Sequence, residues 1–150
     1  MRIGLIRMKF TPYGGAEVFL SRFIDGLLER GHAVEVFSSQ WQEQEGVRFH
    51  KVNTFGPSFL KPLIFARNAK KAVEEVRPDF VVSLERTYCQ DIYRAGDGCH
   101  KEWLIRRGRA SSLLRRVLTG LSPLHFVLLH LEKKLFSSDR LKSVVANSKR

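Results

Sequence analysis

MRIGLIRMKFTPYGGAEVFLSRFIDGLLERGHAVEVF, residues 1–37, changes its hydrophobic period twice, and those changes decide the fold. Ile3 to Met8 is an almost continuous apolar run, as in a strand buried on both faces. Thr11-Pro12-Tyr13-Gly14-Gly15 has the composition of a loop. From Ala16 the period becomes helical: Phe19, Leu20, Phe23, Ile24, Leu27 and Leu28 share one face, and Glu17, Arg22, Asp25 and Glu29 take the other. Gly31 is placed to end this helix as its C-terminal cap. Ala33 to Phe37 is a second short apolar run, rich in β-branched residues. Two buried strands around one amphipathic helix make a βαβ unit, with parallel strands and a right-handed crossover.

The pattern repeats downstream. Val47 to Val52 alternates like a strand, and Asn53 to Pro62 is a loop rich in Gly and Pro. Phe65, Ala66, Ala69, Ala72, Val73 and Val76 mark a second helix that stops at Arg77-Pro78. Phe80 to Leu84 is another strand; Glu85 to Gly98 is less regular, with a turn at Ala95-Gly96-Asp97-Gly98. Two helical stretches follow, His100 to Leu118 and Pro123 to Phe136, the second with Ser122 at its N-cap and Pro123 at its first position. Lys142 to Ala146 is a last strand. Alternating strands and helices predict an α/β domain with an open parallel sheet and helices on both faces.

One domain is what 150 residues accommodate, and an apolar share of 43% is enough for a core without disulfides. The formal net charge of +11 suits an anionic partner: nucleic acid, a membrane surface or a phosphorylated substrate. Nucleic acid is disfavoured, because the Phe and Trp residues fall mostly on core-facing positions rather than interleaving with the basic ones. Cys89 and Cys99 read as reduced thiols in a cytoplasmic protein. No secretory signal is expected, since Met1-Arg2 runs straight into the first strand; no apolar run reaches the length of a membrane span. The histidines and cysteines lack zinc-site spacing, so no metal is expected.

Ligands of an open parallel sheet bind at the carboxyl ends of its strands. Gly14 and Gly15 occupy the loop after the first strand, just before a helix. There, backbone N–H groups approach a phosphate closely and the helix dipole favours it; the same pair also suits a plain tight turn. The chain has no G-x-G-x-x-G and no G-x-x-x-x-G-K-[ST], which argues against a nicotinamide site or a P-loop.

The wider strings carry more. Met1-Arg2-Ile3-Gly4-Leu5-Ile6, Tyr13-Gly14-Gly15-Ala16-Glu17, Leu27-Leu28-Glu29-Arg30-Gly31-His32-Ala33-Val34 and Asp91-Ile92-Tyr93-Arg94-Ala95-Gly96-Asp97-Gly98-Cys99-His100-Lys101-Glu102-Trp103 together resemble family 4 glycosyltransferases of the GT-B fold. The resemblance is closest to the group around lipopolysaccharide core glucosyltransferase I, and it covers nearly the whole chain. It implies an amino-terminal, Rossmann-like, acceptor-side domain over residues 1–150, with the donor domain outside this chain. It also implies retaining transfer of a hexose from a nucleotide-sugar of the UDP type to a lipid-linked acceptor, with no metal or other cofactor. Activity without a donor domain is not expected.

By the same resemblance Gly14 and Gly15 lie against the donor diphosphate, and Asp97 is the acidic residue near the transferred sugar. As a bare sequence feature, Asp97 equally suits a residue that builds its turn. Glu17 positions the glycine loop or contacts acceptor, or else complements the helix dipole. Lys101, with Lys9, Arg86 and Arg94, is a candidate for acceptor phosphates or else a solvated surface charge, and His100, at a helix start, suits a structural role or a catalytic one. Between His100 and Phe136 eight cations face two carboxylates, and leucines interleave with them. Trp103, Arg106, Arg107, Arg115 and Arg116 therefore make a candidate contact with an anionic membrane surface, and the resemblance implies that this is the inner face of the cytoplasmic membrane. The alternative to an enzyme domain is a non-catalytic binding module that docks on an anionic membrane or a partner.

Overall fold

The computed structural model describes residues 1–10, 15–42, 44–96, 98–109 and 122–146, with backbone alone at 15–17 and 107–109. Its order is β1 (Arg2–Ile6), α1 (Gly15–Glu29), β2 (Ala33–Ser38), β3 (Val47–Lys51), α2 (Lys61–Val76), β4 (Phe80–Ser83), β5 (Ile92–Ala95), α3 (His100–Arg109), α4 (Pro123–Phe136) and β6 (Ser143–Ala146). The six strands form one sheet in the order β3-β2-β1-β4-β5-β6, every neighbouring pair parallel. This is the doubly wound, Rossmann-like order, and its direction of winding reverses between β1 and β4.

Strand pleating divides the core between the two faces. On one side Leu20 and Ile24 of α1 pack on Ile3, Leu5, Val34 and Val36. On the other, Phe65, Ala69 and Val73 of α2 pack on Ile6, Phe37 and Val81. Each fully buried side chain of this size contributes about 1.5–3 kcal/mol of transfer free energy. Gly4 lets the chain after α2 approach β1: an added Cβ would stand 3.0 Å from Pro78 Cγ and 3.2 Å from the Phe37 ring.

Two buried carboxylates stitch the sheet. Glu35 on β2 meets His50 Nε2 at 2.6 Å and Arg48 Nη1 at 3.4 Å, both on edge strand β3. Asp91 accepts the Val81 N–H at 2.8 Å and pairs with Arg140 and Lys142. A carboxylate taken from water in this way is tolerated because it is paired.

The structure amends the sequence reading at several points. β1 ends at Ile6, and Lys9 rejoins the sheet only as a single bridge to Gln40. α1 opens at Gly15, one residue before the periodic face. α2 opens at Lys61, inside the expected loop, because a Pro in the first turn needs no N–H partner. The irregular stretch contains β5, which no sequence signal announced. Ser122 stands at the N-cap of α4, yet its hydroxyl makes no cap; its carbonyl receives the His125 N–H instead. The aromatics are less interior than expected: Phe37 and Phe65 are buried, whereas Phe49, Phe55, Phe126 and Trp103 are exposed. Residues 110–118, expected as helix, lie outside the described residues.

Candidate active site

The reversal of winding between β1 and β4 opens a crevice at their carboxyl ends. Glu85, just past β4, closes its floor: its Oε1 accepts the Met8 N–H at 3.2 Å and lies 3.2 Å from Arg7 Nη1. Leu84 N–H donates to the Ile6 carbonyl at 3.0 Å, so the two strands leave the sheet together. Arg94 at the end of β5 lays its guanidinium over the Phe19 ring of α1, 4.0 Å from the centroid. That cation–π contact bridges the β5 and α1 sides of the crevice.

The next wall is built at the start of α3. Glu132 of α4 is buried, and its carboxylate accepts the backbone N–H of His100 at 2.7 Å and of Lys101 at 3.0 Å. Arg86, just past β4, lies 3.8 Å from Glu132 through Nε, an ion pair too long for a hydrogen bond. Its Nη2 donates to the Gly98 carbonyl at 3.0 Å. His100 Nε2 meets His125 Nδ1 at 3.0 Å, and Trp103 stacks on the His100 ring. Burial lowers the His100 pKa below the ordinary histidine value, with His125 and Arg86 adding and Glu132 opposing.

The candidate residues fare differently. Gly15 is the first residue of α1, at the crevice side of that helix; Gly14 and Asp97 lie outside the described residues. Gly96 and Gly98, on either side of Asp97, are exposed, and Gly98 has φ +71°, a left-handed turn position. Glu17 falls in the first turn of α1, where its backbone alone is described. Lys101 is exposed, and its amide is engaged by Glu132. Of the membrane set, Trp103 and Arg106 are exposed on α3, and Arg106 Nε pairs with Glu102 at 2.9 Å. The Arg107 side chain, Arg115 and Arg116 lie outside what is described. Sequence reasoning gave Glu132 no role beyond its charge and offered Arg86 to acceptor phosphates, not to Gly98 and Glu132. Among the described residues no three His, Cys, Asp or Glu side chains converge as metal ligands, and no helix is long and apolar enough to cross a membrane.

Comparison with known proteins extends this picture. Two of the solved structures that share the fold are the following. The crystal structure of WaaG, a glycosyltransferase involved in lipopolysaccharide biosynthesis, matches with TM-score 0.79 at 18% identity, over 95% of this chain and 37% of that one. The sucrose-phosphate synthase (tll1590) from Thermosynechococcus elongatus matches with TM-score 0.57 at 12% identity, over 95% of this chain and 41% of that one. The chain thus spans well under half the length of either. No curated protein matches the sequence. The sequence model of Glycosyltransferase Family 4 matches residues 13–150. With the sheet order and the crevice at β1 and β4, that match identifies the fold as an amino-terminal GT-B domain, and the chain belongs to glycosyltransferase family 4.

Proposed function

We propose that this domain is the acceptor-side wall of a retaining glycosyltransferase that moves a hexose from a nucleotide-sugar, of the UDP type, to a lipid-linked acceptor of the lipopolysaccharide-core kind. The observation that carries the reading is the crevice at the winding reversal, walled by α1 and the turn into α3, in a chain that belongs to family 4. In this reading Gly14 and Gly15 present amides to the donor diphosphate, with the α1 dipole behind them. Asp97 bonds a hydroxyl of the transferred sugar or orients the acceptor, and Glu17 and Lys101 support the two loops. No metal or other cofactor takes part. The second domain, which holds most of the donor, is a separate wall. One wall alone forfeits the orientation that makes the reaction fast, so the isolated chain does not turn over. The enzyme works at the inner face of the cytoplasmic membrane, where its acceptor lies.

The test is transfer from a UDP-hexose to a lipid-linked core acceptor. The 150-residue chain is expected to show none. Joined to a family 4 donor domain it is expected to transfer with retention, and Asp97→Ala then lowers kcat by about 10²–10⁴ with less effect on KM. Turnover by the isolated chain refutes the divided site. Unchanged kinetics in Asp97→Ala remove that residue. A joined protein that transfers nothing from any nucleotide-sugar leaves the binding-module reading instead.

A further inference from the structure

The cap on α3 comes from an unusual place. A helix start is ordinarily satisfied by a Ser, Thr, Asp or Asn just before it. Here that position is Cys99, which offers no such acceptor. The acceptor is Glu132, 31 and 32 residues further along the chain from the two amides it binds. Both of its oxygens are used, one on His100 N–H and one on Lys101 N–H. Its exposure is 6%, so the carboxylate has been taken out of water to reach this position. Such desolvation is costly and is offset by two charge-assisted hydrogen bonds, by the positive end of the α3 dipole and by Arg86. Arg86 in turn grips the Gly98 carbonyl. The chain entering α3 is therefore held on both sides, by a cation at Gly98 and by a carboxylate at His100 and Lys101. Both anchors come from other elements, one from the end of β4 and one from α4.

Capping alone does not require this. A local cap would stabilise α3 equally while leaving its start free to move relative to the sheet. A cap delivered from α4 fixes the helix start to the body of the domain. It also fills the α3 N-terminus with a carboxylate, which repels phosphate from that helix start.

We propose that Glu132 is a positioning residue: with Arg86 it clamps the turn into α3 against the crevice wall, and it excludes phosphate from the α3 N-terminus, so that the donor diphosphate is directed to the start of α1. The proposal rests on the glycosyltransferase reading for its functional half, and on geometry alone for the clamp.

The clamp is tested by hydrogen exchange on the purified chain. In Glu132→Ala the His100 and Lys101 amides are expected to lose protection by about tenfold or more, the scale of a lost hydrogen bond to a charged acceptor. Amides of β1 and β4 are expected to change far less. Glu132→Gln, isosteric and keeping one acceptor oxygen, is expected to fall between, and it stands in if the alanine variant fails to fold. Equal loss of protection across the whole domain overturns the clamp, because that is what a merely structural residue produces. The exclusion is tested with inorganic pyrophosphate followed by amide chemical shifts. Wild-type His100 and Lys101 amides are expected not to move, and those of the Glu132 variants to move; wild-type shifts there overturn the exclusion. In the protein joined to a donor domain, Glu132→Gln is expected to cut kcat by about a hundredfold with KM for the nucleotide-sugar changed about twofold at most. A rise in KM with kcat intact overturns the positioning role. If the joined wild-type protein transfers nothing, the transferase reading fails, and the exchange and pyrophosphate results still decide the clamp and the exclusion.

Discussion

Cys89 and Cys99 are ten positions apart and chemically opposite. Cys89 is packed beneath α2 with Ile6, Phe65 and Val73, and burial pushes its thiol up to about 11 while Arg140 pulls the other way. At pH 8 such a thiol is thiolate in roughly one molecule per thousand, and the thiolate is the reactive form. Cys99 is exposed at the start of α3. Iodoacetamide at pH 8 is therefore expected to alkylate Cys99 alone in the folded chain, with Cys89 modified only after denaturation, as read by peptide mass spectrometry. Equal labelling rates would sink this account of the core. The linkage sign follows from the same burial. The folded pKa of Cys89 is raised above the ordinary thiol value of 9.0, so its contribution to stability is intact below pH 9 and is lost as pH climbs toward about 11. At this scale the sequence was legible where chemistry is local and opaque where it is not. Gly31 announces its role from its own neighbourhood. Glu132, Asp91 and Glu35 do not, because a carboxylate in a string says nothing of partners on other elements. Glu132 even sits among Lys133 and Lys134, where it reads as one more surface charge.

Gly31 also sets the boundary between α1 and β2. Its N–H donates to the Leu28 carbonyl at 2.9 Å and the His32 N–H to Leu27 at 3.0 Å, the double bond pattern of a Schellman cap. Its φ of +74° is left-handed, and an added Cβ would meet nothing within 4 Å, so a substitution there costs conformational strain alone. Gly31→Ala is expected to destabilise the domain by about 1–2 kcal/mol, measured by urea denaturation with an unchanged slope. A loss below a few tenths of a kcal/mol would mean that the turn relaxes instead. Elements with long periodic runs, α1 and α2, were readable because their apolar stripes repeat over about three turns or more. β5 was not: four residues, with Arg94 committed to Phe19 rather than to the core, leave no alternation to see. The start of α2 was hidden by Pro62, which reads as loop in a sequence and serves as first-turn helix in the structure.

Along the whole chain, charge and exposed apolar side chains concentrate in one stretch. The net charge is +11, and the stretch from His100 to Phe136 carries more than half of that excess. In the same stretch Trp103, Ile105 and Phe126 are 42%, 43% and 60% exposed. The Trp103 and His125 ring centroids lie 6.0 Å apart, a contact between α3 and α4. Exposed aromatics among cations are the composition of an interfacial contact, apolar rings at the headgroup boundary and cations against anionic lipid. Arg106 is already paired with Glu102, and an exposed pair of this kind is worth little, so it yields readily to a lipid phosphate. Each nearby Lys or Arg adds about 1 kcal/mol of attraction to an anionic leaflet. Vesicle sedimentation decides the matter. The chain is expected to pellet with vesicles containing phosphatidylserine, to stay in solution with pure phosphatidylcholine, and to be released as salt shortens the Debye length. Replacing Arg106, Arg107, Arg115 and Arg116 by Gln removes about 4 kcal/mol of attraction at most, enough to weaken partition by up to on the order of a thousandfold. Circular dichroism of that variant is expected to match wild type, since Arg106, the one member whose side chain is described, is exposed and outside the core. Trp103→Ala tests the apolar half separately: partition is expected to fall while its salt dependence stays, because the cations remain. A wild-type chain that ignores phosphatidylserine vesicles at low salt would remove the membrane from this account, and the exposed rings of α3 and α4 would then need a protein partner instead.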